Sequence, residues 1–446
     1  MSTRSGDGAV GVGLIGFGTI GTGVARVLRQ NRDVIAERLG FPLRLARIAD
    51  LDTETDRGVD LDGIAFDADA QALIEDPEVE IVIELIGGYG AAKTFTLEAI
   101  QLGKSVVTAN KALLAVHGKE IFEAAAKAGV DVAFEASVGG GIPVLRALRE
   151  GLSANRILSV QGILNGTTNY VLTEMETTGE DFDVVLKRAQ DLGYAEADPA
   201  FDVDGIDAAH KLSLLAAMAF GAEFDFEDIP TEGIRGLLPI DFELADELGY
   251  RIKMLGIAKD HNEGDEPRLE ARVHPTMIPK QSLLASVDGS MNAVMIKGDA
   301  VGPTLYYGAG AGELPTASAV VSDLMELARE LRRGASGRVP PLSYTRTAFK
   351  RKQLVPQCER RGRFYLRFSV PDEPGVLSIL SSALGDKEIG IESVLQKGRR
   401  IATESVSVIV LTHPAPEGAV RDVLREIDAW PSVSAATHLI RIEEEE

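Results

Sequence analysis

The chain of 446 residues is long enough for about three domains, and 45% hydrophobic residues without a low-complexity tract predict a folded globular protein. A formal net charge of −22 argues against nucleic acid or an anionic membrane as the main partner. No apolar run reaches the ~18 residues that a membrane span needs, and residues 1–10 lack a secretory pattern. The single cysteine, Cys358, excludes an intrachain disulfide. These features predict a cytoplasmic protein.

A strand predicted at Val10–Ile15 leads directly into a glycine-rich turn and then into a helix over residues 21–40. In such a G-x-G-x-x-G turn the first glycine permits the tight turn, the second lets the backbone approach a pyrophosphate, and the third allows close helix–strand packing. The order strand, turn, helix predicts a dinucleotide site, with a glycine-rich turn of another α/β protein as the alternative. The residues predicted to bind the cofactor here are Gly16, Phe17, Gly18, Thr19, Ile20 and Gly21.

The second strand is predicted within residues 43–52, with Asp50 or Asp52 at its carboxyl end. An acid at this place accepts a hydrogen bond from the ribose 2′-hydroxyl of NAD and disfavours the 2′-phosphate of NADP. Arg57 follows, and its guanidinium is suited to receive that phosphate. The prediction therefore leans to NAD and leaves NADP open.

Further buried strands are predicted within residues 78–88 and 104–111, with a helix over residues 91–102 between them. Asn110 and Lys111 close the second of these strands, and ligands of open α/β sheets bind at strand carboxyl ends. They are predicted to face the bound ligands, although position alone is equally typical of a surface lysine. A fifth strand is predicted within residues 131–145, and its glycines mark the start of a second domain.

A strand within residues 154–163 leads into the sequence NGTTNY at residues 165–170. Its hydroxyls and amides suit a polar substrate, but a capped helix start explains them equally well. Later strands are predicted at residues 267–278 and 291–298.

Residues 193–211, GYAEADPAFDVDGIDAAHK, crowd several carboxylates ahead of one lysine. Asp204 is predicted to cap a helix that begins near Gly205, on which Asp207 and Lys211 lie one turn apart. The leucines and methionine that follow indicate that this stripe of the helix is apolar, where a charged lysine is costly unless it is paired. A lysine buried beside a carboxylate is suited to donate a proton, and the alternative is an ordinary helix salt bridge.

Residues 306–312 form another glycine-rich helix start, and the helix over residues 316–331 is predicted to close back on the nucleotide domain. Residues 332–352, rich in Arg, Gly, Ser and Pro, predict an exposed linker. From residue 363 the pattern predicts β-α-β-β-α-β, a ferredoxin-like unit. Its strands are expected at residues 363–370, 391–397, 404–413 and 433–442, and its helices at residues 376–386 and 418–429.

The six histidines have no paired metal-ligand spacing, so no zinc or di-metal site is predicted. His210 adjoins Lys211 in the chain but lies on a different helical face, and we predict a structural role for it.

Taken together, these motifs resemble the homoserine dehydrogenases that carry a C-terminal ACT domain. The resemblance runs through GFGTIG, ELIGG, TANKALLA, EASVGGGIPV, GILNGTTNYVL, GYAEADPAFDVDGIDAAHK and YYGAGAGELPTASAVV, and it covers nearly all of residues 10–330. It implies an α/β protein with a Rossmann-type nucleotide-binding domain, an α+β catalytic and dimerisation domain and a ferredoxin-like ACT domain. The expected ranges are 1–137 (completed by about 305–335), 138–345, a linker at 346–362, and 363–446.

The resemblance also implies NAD(P)-linked interconversion of L-homoserine and L-aspartate 4-semialdehyde, on the route to threonine and methionine. Lys211 would donate the proton to the aldehyde oxygen, and Asp207 would orient Lys211 and bind substrate together with Glu196. Lys111 would face the substrate from the nucleotide-domain side, and Thr167 would lie at the same cleft.

Further ligand sites follow from the resemblance alone. The nicotinamide half of the cofactor would touch Gly193, Gly308, Gly310 and Gly312. A sodium ion would be held, mostly through backbone carbonyls, by Glu135, Val138, Gly140 and Ile142.

The last part of the chain resembles an ACT domain in its strand–DEPG–helix opening and its IGIE segment at residues 389–392. The resemblance implies an amino-acid effector, threonine, at a paired interface, and a homo-oligomer that is at least a dimer. Two rival functions stay open: another Rossmann oxidoreductase acting on a small amino-acid aldehyde, and a non-catalytic amino-acid sensor.

Overall fold

The computed structural model describes residues 8–261, 267–397, 405–431 and 433–444. Its first sheet is parallel, with the strand order β3-β2-β1-β4-β5-β6. This is the strand order of a dinucleotide-binding Rossmann sheet, so the predicted α/β class and Rossmann-type domain are confirmed. The strands are β1 Val10–Ile15, β2 Leu43–Ala49, β3 Ala65–Asp67, β4 Ile81–Glu84, β5 Ser105–Thr108 and β6 Val132–Ala133.

The helices of this domain are α1 Thr19–Gln30, α2 Arg32–Leu39, α3 Ala70–Glu75, α4 Gly90–Gln101 and α5 Lys111–Ala128. The single helix predicted over residues 21–40 is in fact two, because Asn31 (φ −102°, ψ 15°) leaves the helical region. The strand β3 is absent from the sequence predictions. The predicted fifth strand shrinks to two residues, since a 3₁₀ turn at Glu135–Ser137 follows at once.

Among the described residues, the second part of the chain supplies five of the eleven strands of a large mixed sheet, which we call the central sheet. These strands are β7 Ile157–Ile163, β9 Tyr250–His261, β10 Arg268–Pro279, β11 Met291–Gly298 and β12 Gly302–Ala309, whereas β8 Ala222–Glu223 lies outside this sheet. The helices of this part of the chain are α6 Val144–Arg146, α7 Gly166–Thr178, α8 Phe182–Asp191, α9 Ala200–Val203, α10 Ile206–Phe220 and α11 Pro239–Glu247. The strands β8, β9 and β12 were not predicted, whereas β7, β10 and β11 lie where the sequence patterns placed them.

The next helix, α12 Glu313–Arg333, returns to the Rossmann sheet. Buried Val320 and Leu324 belong to the same apolar cluster as Val12 and Leu14 of β1. The predicted return of this helix to the nucleotide domain is therefore found in the structure.

The predicted exposed linker is partly structured. Two short strands, β13 Lys350–Arg351 and β14 Gln353–Leu354, pair with β8 and β10. Lys352 is buried, and its Nζ lies 2.9 Å from Asp260 Oδ1. This segment is therefore attached to the central sheet through β14 and Lys352, whereas β13 and β8 form a separate two-stranded sheet.

The C-terminal elements are β15 Arg361–Pro371, α13 Val376–Asp386, β16 Ile391–Lys397, β17 Ser405–Thr412, β18 Ala415–Pro416, α14 Glu417–Asp428 and β19 Ala435–Ile442. The antiparallel order β19-β15-β17-β16 realises the predicted ferredoxin-like β-α-β-β-α-β pattern. We call residues 361–444 the C-terminal module. Its strand β19 pairs in parallel with β10, which joins the module to the central sheet.

Some predicted ranges extend beyond the described residues. The strand predicted over residues 404–413 begins one residue outside them. The domain ranges 1–137, 138–345 and 363–446 include residues 1–7, 262–266, 398–404, 432 and 445–446, which also lie outside them. Within the described ranges, no helix has both the length and the apolarity to cross a bilayer.

Candidate active site

Helix α10 carries the predicted pair of Asp207 and Lys211 at its buried start. Asp207 is 3% and Lys211 8% exposed, and Asp207 Oδ2 lies 2.6 Å from Lys211 Nζ. Lys211 Nζ also donates to the carbonyl of Leu164 at 2.7 Å. The spacing predicted this contact, and its burial excludes the alternative of an ordinary surface salt bridge.

Two details of this helix differ from the prediction. Asp204 does not cap it, because Gly205 occupies the N-cap with a positive φ of 87° and the carboxylate of Asp204 pairs with Arg235 instead. The helix is also buried on almost every side rather than along one apolar stripe. A helix in the middle of a domain has packing partners all around it, which the periodicity of its sequence alone does not reveal.

Lys111, the first residue of α5, approaches the same carboxylate from the Rossmann domain. Its Nζ lies 3.2 Å from Asp207 Oδ1, so Asp207 bridges two lysines from two domains. Burial by itself would raise the pKa of Asp207, but the charges of Lys211 and Lys111 and a hydrogen bond from Asn165 lower that pKa well below its ordinary value. Asp207 therefore stays ionised at neutral pH.

The NGTT segment meets the acidic loop at this point. Asn165 Nδ2 donates to Asp202 Oδ1 at 2.7 Å and to Asp207 Oδ2 at 2.9 Å. Thr167 Oγ1 lies 2.7 Å from the Tyr194 carbonyl and 3.1 Å from Asp202 Oδ2. The Asn165 side chain also caps α7 by accepting from Thr168 N at 2.8 Å, so the capped helix start is found, and contact with a substrate stays a prediction.

The sequence did not single out Asn165 or Asp202 as members of this cluster. Their only signal was membership of polar motifs, because the contact between the two motifs is made by the tertiary structure. Glu196 and Gly193 lie exposed on the same loop. Among the ion pairs of the described residues, Glu196 forms none with Lys111 or Lys211.

The predicted phosphate turn lies between β1 and α1, at the point where the strand order reverses. A Cβ on Gly16 (φ 96°) would lie 2.8 Å from the Leu85 carbonyl, and a Cβ on Gly21 would lie 2.1 Å from Gly16 O. A Cβ on Gly18 would meet no protein atom within 4 Å. The fold itself thus requires Gly16 and Gly21, whereas the open space above Gly18 fits the approach of a pyrophosphate.

The acid and the arginine predicted to read the ribose lie side by side. The Asp50 carboxylate accepts a hydrogen bond from Phe17 N, and Arg57 lies over the Phe17 ring at 5.1 Å. The guanidinium is 3.7 Å from Asp50 Oδ1 and 3.2 Å from Asp52 Oδ2. Because a hydroxyl acceptor and a phosphate partner share one edge, this geometry suits both NAD and NADP.

The side chain of Asn110 forms hydrogen bonds within the protein. Its side chain caps α5 by accepting from Leu113 N at 3.0 Å and donates to Gly88 O at 2.8 Å, so it holds the loop after β4. That loop also surrounds Glu84, a fully buried acid that the sequence analysis missed. Burial raises the pKa of Glu84, while Thr108 Oγ1 donates to its carboxylate at 2.7 Å.

The glycines predicted to touch the nicotinamide have packing reasons of their own. A Cβ on Gly308 would lie 3.1 Å from the Ile142 side chain, and one on Gly310 would overlap the side chain of Asn292. Gly312, with φ of 118°, begins α12. The loop with Gly140 contacts them closely, since a Cβ on Gly140 would lie 2.5 Å from Gly310 O.

In the loop predicted to hold sodium, backbone N–H groups occupy the carboxylate of Glu135. Glu135 Oε1 and Oε2 accept from Leu145 N at 2.8 Å and Arg146 N at 2.7 Å. Burial, reinforced by the charge of Asp323, raises the pKa of Glu135 to about 7. The described residues contain no cluster of three or more His, Cys, Asp or Glu side chains able to hold a metal.

His210 agrees with its predicted structural role. Its ring is 2% exposed and packs against Phe226 at 4.1 Å and Phe201 at 5.5 Å. Burial lowers its pKa, so the neutral ring is favoured.

Comparison with known proteins adds family information to this geometry. A family model for homoserine dehydrogenase matches residues 143–325, and one for the homoserine dehydrogenase NAD binding domain matches residues 16–135. A homoserine dehydrogenase of Neisseria gonorrhoeae is 46% identical over 434 residues, covering 97% of this chain and 98% of the relative.

Solved structures show the same relationship. The crystal structure of a homoserine dehydrogenase from Thiobacillus denitrificans is 47% identical, with a TM-score of 0.91 over 98% of both chains. A hyperthermophilic archaeal homoserine dehydrogenase in complex with NADPH is 25% identical, with a TM-score of 0.60, and matches 72% of this chain and 97% of the relative.

Proposed function

The chain belongs to the homoserine dehydrogenase family. We propose that the reaction of this family takes place where the Rossmann domain meets the second domain, with Lys211 as the proton donor. The chain is an NAD(P)-dependent oxidoreductase that interconverts L-homoserine and L-aspartate 4-semialdehyde. The observation that carries the role of Lys211 is its buried contact with Asp207, made where the two domains meet.

Reduction of the aldehyde requires a hydride at carbon and a proton at oxygen. When bound, the nicotinamide cofactor supplies the hydride to the aldehyde and accepts it from homoserine. Lys211 Nζ donates its proton to the forming alkoxide, and in the reverse direction it takes the proton from the hydroxyl. Asp207 and the Leu164 carbonyl both accept from Lys211, and thereby fix the position of its ammonium group.

Charged groups around this lysine suit an amino-acid substrate. We assign Glu196 and Asp207 to the substrate ammonium, because acids crowd this loop, and place Thr167 against the same substrate. Lys111 is placed against a negatively charged group of the substrate, since it is the partly exposed one of the two lysines on Asp207.

The cofactor is assigned to the turn at residues 16–21, with its ribose at Asp50 and Arg57. The open space at Gly18 supports the pyrophosphate position, and the shared edge of Asp50 and Arg57 supports use of both NAD and NADP. The NADPH complex of the archaeal relative is consistent with use of NADP. We place the nicotinamide half near Gly193 and near the loop of Gly308, Gly310 and Gly312, with Asn110 supporting the pocket and Lys111 at its edge.

The C-terminal module is proposed to be an ACT domain that binds an amino-acid effector, threonine, with the enzyme working as a cytoplasmic homo-oligomer of at least two chains. The ferredoxin-like strand order supports this assignment. We retain residues 1–137 with 305–335 as nucleotide domain, 138–345 as catalytic and dimerisation domain, 346–362 as connection and 363–446 as regulatory domain.

The first experiment measures homoserine-dependent reduction of NAD and of NADP, each with and without threonine. We expect turnover with homoserine, activity with both cofactors, and inhibition by threonine. Absence of turnover with both cofactors would contradict the assignment of homoserine as substrate, and turnover unchanged by threonine would contradict the assignment of threonine as effector.

A sodium ion is proposed at backbone oxygens of Glu135, Val138, Gly140 and Ile142. Gly139 and Gly140 have positive φ angles of 72° and 55°, and backbone carbonyl oxygens are ligands that hard cations prefer, which supports the proposal. We expect sodium chloride to raise the melting temperature relative to choline chloride at equal ionic strength, because an ion that binds only the folded state stabilises it. Equal melting temperatures in the two salts would rule the ion out.

A further inference from the structure

One loop lies between the C-terminal module and the acidic turn of the active site. We call residues 230–236 the bridging segment, and residues 202–205, at the end of α9, the acidic turn. The segment is itself held on the central sheet: Glu232 N donates to Val273 O at 2.8 Å, and Thr231 forms a β-bridge with Val273. Its position is therefore defined by β10 beneath it.

The bridging segment is closely packed against the acidic turn. Ile234 N donates to Val203 O at 2.9 Å, and a Cβ on Gly233 would lie 2.6 Å from the same oxygen. Arg235 Nε lies 2.6 Å from Asp204 Oδ1. A shift of the segment must therefore move the acidic turn.

The same segment is held from its other side by the C-terminal module. Glu232 accepts from Arg441 at 2.8 and 2.9 Å and from Arg421 at 2.5 Å. Gly236 packs on His438, since a Cβ there would lie 2.9 Å from the imidazole ring. The buried guanidinium of Arg367 extends this attachment into α11 through two hydrogen bonds, Nε to Asp241 Oδ1 at 2.7 Å and Nη2 to Asp241 Oδ2 at 3.2 Å.

The acidic turn reaches the substrate side of the cleft through Asp202. Its carboxylate accepts from Asn165 and Thr167, and Asn165 in turn holds Asp207. Lys211 depends less on this turn, because the Leu164 carbonyl and Asp207 hold it directly. Displacement of the turn should therefore disturb substrate binding more than proton transfer.

We infer that the bridging segment couples the position of the C-terminal module to the geometry of the substrate site, with Glu232 as a positioning residue. Glu232 acts through the acidic turn and touches neither substrate nor cofactor. The inference goes beyond the proposed reaction, and it holds whatever ligand the module binds.

The test replaces Glu232 by glutamine, which keeps the shape of the side chain and removes its charge. Arg441 keeps its pair with Glu417 in this variant, so no buried guanidinium is left unpaired and the protein should fold. The matched control is Glu359→Gln, which removes an ion pair of 2.7 Å between Arg268 of β10 and the segment before β15 without contacting the bridging segment.

For Glu232→Gln we expect the KM for homoserine to rise roughly 3- to 10-fold, the range that residues along a coupling path produce. The kcat and the cofactor KM should stay within about two-fold, because Lys211 and the nucleotide turn keep their own supports. Amide hydrogen exchange in a peptide covering residues 200–205 should become faster. Glu359→Gln should change none of these.

An unchanged homoserine KM with unchanged exchange at residues 200–205 would overturn the inference. An equal change in both variants would overturn it as well, because it would show a general loss of stability. If Glu232→Gln does not fold, the same measurements are made on Arg421→Gln, which removes one partner of Glu232 and leaves Arg441 in place. The homoserine KM and the exchange at residues 200–205 should then rise in that variant, and unchanged values would overturn the inference. The exchange measurement needs no turnover, so failure of the proposed reaction and failure of the coupling remain distinguishable.

Discussion

Replacing Lys211 by methionine is expected to lower kcat by about 10²- to 10⁴-fold, the usual contribution of a positioned acid or base. Methionine fills a similar volume but has no ionisable group that could donate a proton. Asp207 would keep Lys111 and Asn165 as partners, so its buried charge would not be stranded and the fold should survive. Cofactor affinity should stay near that of the unchanged protein, because Lys211 is not part of the nucleotide turn.

The measurements are steady-state turnover with homoserine and fluorescence titration with NADPH. A matched control is Lys187→Met on α8, which removes another lysine–aspartate pair four residues apart, with Asp191, that is exposed rather than buried. That variant should retain full turnover. Turnover by the Lys211 variant equal to that of the control would remove Lys211 from the mechanism.

The second large effect is expected in the phosphate turn, where Gly18 and Gly21 should respond differently to alanine. Gly18→Ala meets no protein atom, so the melting temperature should hardly change, but the methyl group occupies the space assigned to the pyrophosphate. We expect the dissociation constant for the dinucleotide to rise by at least roughly 10-fold, which corresponds to about 1.4 kcal/mol of binding free energy.

Gly21→Ala places a Cβ 2.1 Å from Gly16 O, which forces the backbone of the turn to move. We expect a loss of about 1–3 kcal/mol in the free energy of unfolding, as for other overpacked sites, together with loss of cofactor binding. Denaturant titration and cofactor titration measure the two effects separately.

The control for both alanines is Gly385→Ala, an exposed position in α13 where the added Cβ also meets no atom. It should leave cofactor binding unchanged. Normal cofactor affinity in Gly18→Ala would show that the dinucleotide does not approach the turn at that residue.

Local patterns of the sequence determined those parts of the protein that depend on near neighbours in the chain. Short-range backbone geometry determines the nucleotide-binding turn, which consists of a strand, the glycines at 16, 18 and 21 and a helix. The structure contains these elements in that order. The four-residue spacing of Asp207 and Lys211 places them together on any helix. The C-terminal β-α-β-β-α-β pattern was recognisable because each strand and each helix carries its own local hydrophobic pattern.

Contacts between distant segments were decided by the tertiary structure alone. Lys111 reaches Asp207 only because α5 and α10 pack together, and Asn165 meets Asp202 only where two loops converge. The burial that turns Asp207 and Lys211 from a helix salt bridge into a candidate catalytic pair belongs to the surrounding domain. The contacts of Glu232 with Arg441 likewise depend on the docking of the C-terminal module. Periodicity and motif spacing describe each segment by itself, whereas charge pairing, burial and coupling depend on which segments the fold brings together.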